Sequence, residues 1–327
     1  MATPEQTFLH NQLMTRRERL EAALREEPRA SALQNLLEQV DAALERMTQG
    51  TYGLCESCHE PIEQERLLAD PLVCYCLDHL TREEQLALQR DLELAAEMQR
   101  SLLPPNHVHV NGWEVNYHYR AAGVVSGDYC DIIRAPQAES VLFVVGDVSG
   151  KGVAASLLMT QLHGMFRSLA SVGLPLDEAI ARANRLLCES ALAGQFATLV
   201  CGRAVAGGRV ELCNAGHLPA LHVGRDGVRR IESGGLPLGM FCTQRYPLES
   251  VKLEPGDALV VFTDGFTEAQ AGGGTEYGVE RLEEFLATRR GLTAGELTQA
   301  CLADLGAFRG GTAAHDDLTL LTLRRAN

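Results

Sequence analysis

Four times in the C-terminal two thirds of the chain a short apolar run meets an aspartate beside small or acidic neighbours: Gly127-Asp128-Tyr, Gly146-Asp147-Val-Ser-Gly-Lys-Gly152, Phe262-Thr-Asp264-Gly-Phe-Thr-Glu268 and His315-Asp316-Asp317-Leu-Thr. Taken singly, each reads as a solvated surface acid. A strand-end aspartate in an apolar sheet is costly unless it is paired, hydrogen-bonded or metal-bound, so several that converge repel one another unless divalent cations lie between them. Oxygen ligands with retained water suit Mg2+ or Mn2+. The run from Gly146 to Gly152 falls one residue short of a phosphate-binding P-loop and has Gly152 where a Ser or Thr would hold magnesium. That argues against ATP hydrolysis by such a route.

The surrounding sequence places these acids in a layered domain. Trp113–Ala121, Val141–Val145, Phe196–Val205, Leu259–Phe262 and Leu318–Leu323 read as strands, and helices are expected at about 154–170, 176–190, 279–288 and 294–308. Strands mixed with helix pairs, not strictly alternating with them, favour an α+β domain over a parallel βαβ sheet. At 327 residues the chain has room for two or three domains. Residues 1–50 read as an antiparallel helical hairpin, with Leu36, Leu37, Val40, Ala43, Leu44 and Met47 at helical spacing and Pro28 interrupting an earlier run. Residues 51–80 form a loop-rich cysteine module, 81–105 a linker helix from Thr81 that stops at Pro104-Pro105, and 106–327 the layered domain. Leu88, Leu92, Ala95, Met98 and Leu102 line one side of the linker helix, and Gln99 interrupts the stripe. A coiled-coil homodimer and an intramolecular brace are equal readings of it.

Asp and Glu number 43 against 29 Lys and Arg, and the formal charge of −14 opposes non-specific attraction to nucleic acid and anionic lipid. No apolar run approaches the ~18–20 residues of a membrane helix, and the start shows no basic segment followed by an apolar one. A cytoplasmic protein without membrane or bulk nucleic-acid partners is expected. Cys55-x-x-Cys58 and Cys76-x-x-His79 each set two ligands on one side of a tetrahedral ion, and thiolate with imidazole favours one structural zinc. So short a segment cannot build its own core without a staple. Cys74 is the other candidate for the fourth ligand, but Cys74-x-Cys76 is one residue too close for a normal knuckle, which favours His79. Cys130, Cys188, Cys201, Cys213, Cys242 and Cys301 read as core fillers.

Gly50-Thr-Tyr-Gly-Leu-Cys55-Glu-Ser-Cys58-His-Glu-Pro-Ile62, with Arg66-Leu67, Pro71 and Cys76, resembles the DksA/TraR-type zinc finger with its preceding helical hairpin, over about residues 8–80. That family usually closes its motif with a second Cys-x-x-Cys, where this chain has His79. Its members modulate RNA polymerase through a long coiled coil with acidic tip residues, and the hairpin here is short. A DksA-like RNA-polymerase-binding transcription modulator with an accessory phosphatase domain is therefore the alternative reading.

From Glu97 to Arg324 the ordered acidic motifs, with Met98-Gln99-Arg100-Ser-Leu-Leu-Pro104, Asn214-Ala-Gly-His217-Leu-Pro219 and Gly235-Leu-Pro-Leu-Gly239, resemble the PPM protein phosphatases of the RsbU/SpoIIE type. The resemblance implies a four-layer α-β-β-α sandwich with two Mn2+ or Mg2+ ions at one end, hydrolysing phosphoserine or phosphothreonine by an activated water. By motif position Asp147 bridges the ions with help from the Val148 carbonyl, Asp264 and Asp316 complete the other shell, and Asp128 sits beside the bridging site through metal or water. Asp317 is then a supporting residue. Some relatives carry a His where Lys151 stands, so the resemblance leaves the general acid open; His217 is a weak candidate and reads better as a structural histidine. A phosphorylated anti-sigma-factor antagonist of the STAS type is the implied substrate, and control of the phosphatase by the zinc module through the linker helix is the implied regulation.

Overall fold

The computed structural model describes residues 4–26, 30–79, 82–135, 140–190, 194–232, 234–312 and 314–326. Pro28 and Thr81 lie outside them. The chain divides into two compact units, residues 1–91 and 92–327.

In the first unit, helices α1 (Pro4–Glu26) and α2 (Ser31–Gln49) pack on each other through Leu13, Leu20, Val40 and Ala43, all buried, with Leu36, Leu37, Leu44 and Met47 at the margin. The helical spacing of those residues gives one apolar face, and Arg17 ties the pair to Asp41 at 2.7 Å. Gly50, at φ 73°, ends α2 in the left-handed conformation that glycine tolerates. A second small core of Leu9, Cys55, Ile62, Leu67 and Cys76 includes the short helix α3 (Gln64–Ala69). Helix α4 (Arg82–Leu102) begins in the first unit, and from Leu92 it belongs to the second.

The second unit contains two antiparallel sheets among the described residues. One has the order β1 (His107–Val110), β2 (Trp113–Arg120), β11 (Leu318–Arg325), β10 (Ala258–Phe262), β7 (Ala220–Gly224), β8 (Gly227–Ile231). The other runs β3 (Tyr129–Ala135), β4 (Ser140–Val148), β5 (Ala197–Ala204), β6 (Arg209–Ala215), β9 (Glu249–Lys252). The side chains of a strand alternate between faces, and β10 shows what that does here. Leu259 and Val261 enter the layer between the sheets with Phe143, Val145 and Val200, whereas Ala258, Val260 and Phe262 meet helices α8 (Val279–Ala287) and α9 (Ala294–Arg309). Leu142 and Val144 of β4 likewise meet α5 (Gly152–Val172) and α6 (Leu176–Ser190). Central strands buried on both faces read as unbroken apolar runs. The result is the expected four-layer α-β-β-α sandwich.

Several strands had no such signal. β3 carries Asp131 in its middle, and that residue is fully buried because Arg167 of α5 forks onto it at 2.7 and 2.8 Å. A tertiary ion pair makes it a strand interior, which local pattern does not show. β1 and β6 to β9 are short or charge-bearing for the same practical effect. Glycine matters at one central crossing: Gly202 of β5 lies opposite Phe143 of β4, and a Cβ there would collide with the ring. Gly202→Ala is expected to lower the unfolding free energy by about 1–3 kcal/mol in urea melts through overpacking. Unchanged stability would mean the ring has room to move.

Candidate functional site

Strands β4, β10 and β11 bring three aspartates to one end of the sandwich. Asp147 is the penultimate residue of β4, opposite Thr198 of β5. Asp264 opens the short helix α7 (Asp264–Thr267) just after β10, and Asp316 lies just before β11. The pairing of Phe262 with Leu320 puts these two at the same sheet end. Gly265 allows the close approach, since a Cβ there would collide with the Asp317 carbonyl oxygen. The acids feel one another: burial, then the charges of Asp264 and Asp316, raise the pKa of Asp147 to about 7. Burial and then Asp316 also raise that of Asp264. Lys151, in the loop after β4, donates to Asp316 at 2.8 Å and offsets part of this field.

Asp128 stands apart from that half-exposed trio. It is 1% exposed, and its Oδ2 accepts hydrogen bonds from Thr263 Oγ1 at 2.9 Å and Thr319 Oγ1 at 2.6 Å. Burial raises its pKa well above the carboxylate range, and the charge of Asp147 adds to this while the two hydroxyls oppose it. The contact ties the start of β3, in one sheet, to β10 and β11 in the other. His217, after β6, makes a second tie. Its Nε2 donates to the Phe262 carbonyl at 3.0 Å, which leaves Nδ1 to accept from Thr198 Oγ1 at 2.8 Å. Burial lowers its pKa to about 4, so the ring is neutral with both nitrogens engaged.

The loop between β2 and β3 is fixed from two sides. Asp317 accepts from the Ala122 and Gly127 amides at 2.7 and 2.8 Å. From α4, Gln99 Nε2 donates to the Ser126 carbonyl at 2.7 Å, and Gln99 Oε1 accepts from the Ser126 amide at 3.0 Å. This corrects the expected apolar stripe: Gln99 is buried and Met98 is 63% exposed. Two backbone hydrogen bonds make a glutamine the better fit for that buried position than a hydrocarbon. Sequence reasoning did not assign Gln99, Thr263 or Thr319 a role, although all three lie inside the quoted motifs as polar residues amid apolar ones. Cys242 is exposed, and Cys188 is only half-buried, so neither is a core filler.

The donor set is carboxylate with one strand-end carbonyl, and the raised Asp147 marks negative charge that the protein's own cations do not balance. Hard divalent ions fit both features. Among the described residues, the only group of three or more His, Cys, Asp or Glu ligand atoms within 4.8 Å of one another is Cys55, Cys58, Cys76 and His79. The acids do not gather into such a group.

The cysteine group has the other character. Cys58 Sγ lies 3.8 Å from Cys76 Sγ, and His79 turns Nδ1 to Cys76 Sγ at 3.2 Å. Although burial opposes it, amides of Cys58, Cys76 and Ser57 draw the Cys55 pKa down to about 6, toward the thiolate that ligates metal. Cys74 instead donates to the Leu72 carbonyl at 3.2 Å. Three thiols and one imidazole fit a tetrahedral zinc.

Two outcomes follow for the acid end. Gln99→Leu leaves the buried Ser126 amide and carbonyl unpaired and is expected to cost about 2–3 kcal/mol in thermal melts; a neutral result would mean that water replaces it. The depressed pKa of His217 means that the unfolded chain takes a proton near pH 6.5 while the folded one does not until about 4. Its contribution, about 3 kcal/mol, is complete above pH 6.5 and is lost as pH falls toward 4. His217→Gln should flatten the stability profile in that window, and an unaltered slope would assign the acid sensitivity elsewhere.

Comparison with known proteins gives these sites a context. The family described as "Stage II sporulation protein E (SpoIIE)" matches residues 137–326, and "Prokaryotic dksA/traR C4-type zinc finger" matches residues 50–85. Phosphoserine phosphatase RsbU of Bacillus subtilis is 28% identical over 255 residues, covering 76% of this chain and 74% of its own. Protein IcfG of Synechocystis is 26% identical over 264 residues, 72% of this chain, and the match spans only 41% of that longer protein. The crystal structure of the RsbU and RsbW domains of a Mycobacterium tuberculosis protein aligns with a TM-score of 0.56 and 28% identity, over 68% of this chain and 62% of that one. With the first of these families matching more than half of its length, the chain belongs to the SpoIIE family.

Proposed function

We propose that this chain hydrolyses phosphoserine or phosphothreonine in a protein, using two Mn2+ or Mg2+ ions held at the acid end of the sandwich. The observation that carries this reading is the convergence of three acids from three strand ends, where burial and the charges of Asp264 and Asp316 raise Asp147, and burial and the charge of Asp316 raise Asp264. Asp147 and the Val148 carbonyl would hold one ion, Asp264 and Asp316 the other, with Asp147 shared. Bound there, the ions supply a water acidified toward neutral pH and positive charge for the phosphoryl oxygens. Asp128 serves from behind, holding Thr263 and Thr319 through their hydroxyls. Lys151 keeps a cation at the rim. His217 is neutral and doubly bonded, so the leaving group takes its proton from water. The buried cysteines Cys130, Cys201, Cys213 and Cys301 offer no nucleophile.

A phosphorylated anti-sigma-factor antagonist of the STAS type is the substrate we assign, in a partner-switching pathway in the cytoplasm. The support is the name of the RsbU relative and the pairing of RsbU with RsbW domains in the solved one. We also assign one structural zinc to Cys55, Cys58, Cys76 and His79, and to α4 the role of carrying that module's state to the phosphatase. Leu94 and Met98, one turn apart on α4 and both more than half exposed, are what a second copy's helix would cover in a homodimer. Among the described residues no helix is long and apolar enough to cross a membrane. The alternative, an RNA-polymerase modulator, rests on the zinc-finger match alone.

The test is phosphate release from a phosphoserine protein with and without Mn2+. Metal-dependent release that falls at least a hundredfold in Asp264→Asn is expected, because one ligand of the pair loses its charge. Release that needs no metal, or that the substitution leaves intact, would remove the reading.

A further inference from the structure

Beside the acid end lies a groove of about 480 Å³, within the ~300–1,000 Å³ range of ligand clefts, whose lining includes Leu92, Val124, Val125, Lys151, Val153 and Asp316. Its wall is held firmly. Asp317 fixes the amides of Ala122 and Gly127, and Gln99 fixes both backbone groups of Ser126. Between these anchors Val124 stands 53% exposed, and Val153 in the first turn of α5 stands 47% exposed. A lone surface valine needs no explanation. Two valines held on tethered backbone are different when the same groove contains Lys151 and Asp316. Whatever rests on the valines has its adjoining atoms at the acids.

We propose that this groove receives an aliphatic side chain next to the phosphorylated residue of the protein substrate, and so selects the sequence around the phosphoserine. The inference rests on the phosphatase reading above. Charge supports this occupant: a chain with a formal charge of −14 repels a phosphorylated partner at long range. Attraction must therefore come from short-range contact, and the groove offers apolar surface with the Lys151 ammonium beside it. Asp316 already engages Lys151 at 2.8 Å, so the ammonium, although 72% exposed, is oriented toward the mouth. Continuity with the acid cluster separates this surface from the other exposed apolar residues of the unit.

Two synthetic phosphoserine peptides test it on the full chain with Mn2+, one with leucine on each side of the phosphoserine and one with serine there. The wild type should show kcat/KM about tenfold or more higher for the leucine peptide, the discrimination that an apolar pocket gives a large aliphatic group. The uncharged double variant Val124→Ser, Val153→Ser should erase that preference, with para-nitrophenyl phosphate hydrolysis measured alongside as the gauge of the metal centre and of folding. Equal rates for the two peptides in the wild type, or a preference that survives the double variant, overturns the proposal. So does a wild-type dimer that the double variant dissociates in light scattering, since the groove would then be covered by a second copy. If neither peptide nor ester is hydrolysed, the phosphatase reading fails, and fluorescence anisotropy of the labelled peptides still decides the groove. Tighter leucine-peptide binding that the double variant loses supports it, and equal binding refutes it.

Discussion

Carboxylates crowded at one end of a sandwich repel, and the fold at that end is organised to hold them against the repulsion. Two ties cross between the sheets there. Asp128 reaches from the start of β3 to threonines of β10 and β11, and His217 links Thr198 on β5 to Phe262 on β10. Thr198 is the register partner of Asp147, and Phe262 is two residues before Asp264. Each tie therefore sets the position of a charged residue it does not touch. Because both ties are buried, each hydrogen bond resists exchange with water.

The loop between β2 and β3 extends the same logic outward. Asp317 spends its carboxylate on two amides, while its neighbour Asp316 keeps its own turned to Lys151. Adjacent acids thus divide the work of scaffold and site. Gln99 adds a contact from α4, the helix that leaves the first unit at Asp91, so the segment ahead of the sandwich is bonded to the backbone next to Asp128.

Much of this was legible in the sequence where a local pattern carries the physics. Unbroken apolar runs located β4, β5, β10 and β11, and the acids beside glycine located the strand ends. The spacing of cysteines with His79 located the small metal group, and the helical spacing of Leu36 to Met47 located α2. What stayed hidden depends on distant partners. Asp131 has no local signal that places it inside a strand, and only Arg167 of α5 makes its burial possible. Gln99 reads as a flaw in an apolar stripe until Ser126 supplies its two bonds. Thr263 and Thr319 look like ordinary strand residues, and only the return of β11 beside β10 turns both hydroxyls onto one carboxylate. Cys242 was misjudged because exposure is a tertiary property that composition does not carry.

On the proposed reading, Asp147, Asp264 and Asp316 together hold a pair of hard ions. Electron paramagnetic resonance of the zinc-loaded full chain titrated with Mn2+ tests this most directly. Uptake of two Mn2+ per chain with the exchange-coupled spectrum of neighbouring ions is expected. A single uncoupled Mn2+, or none retained, would contradict it.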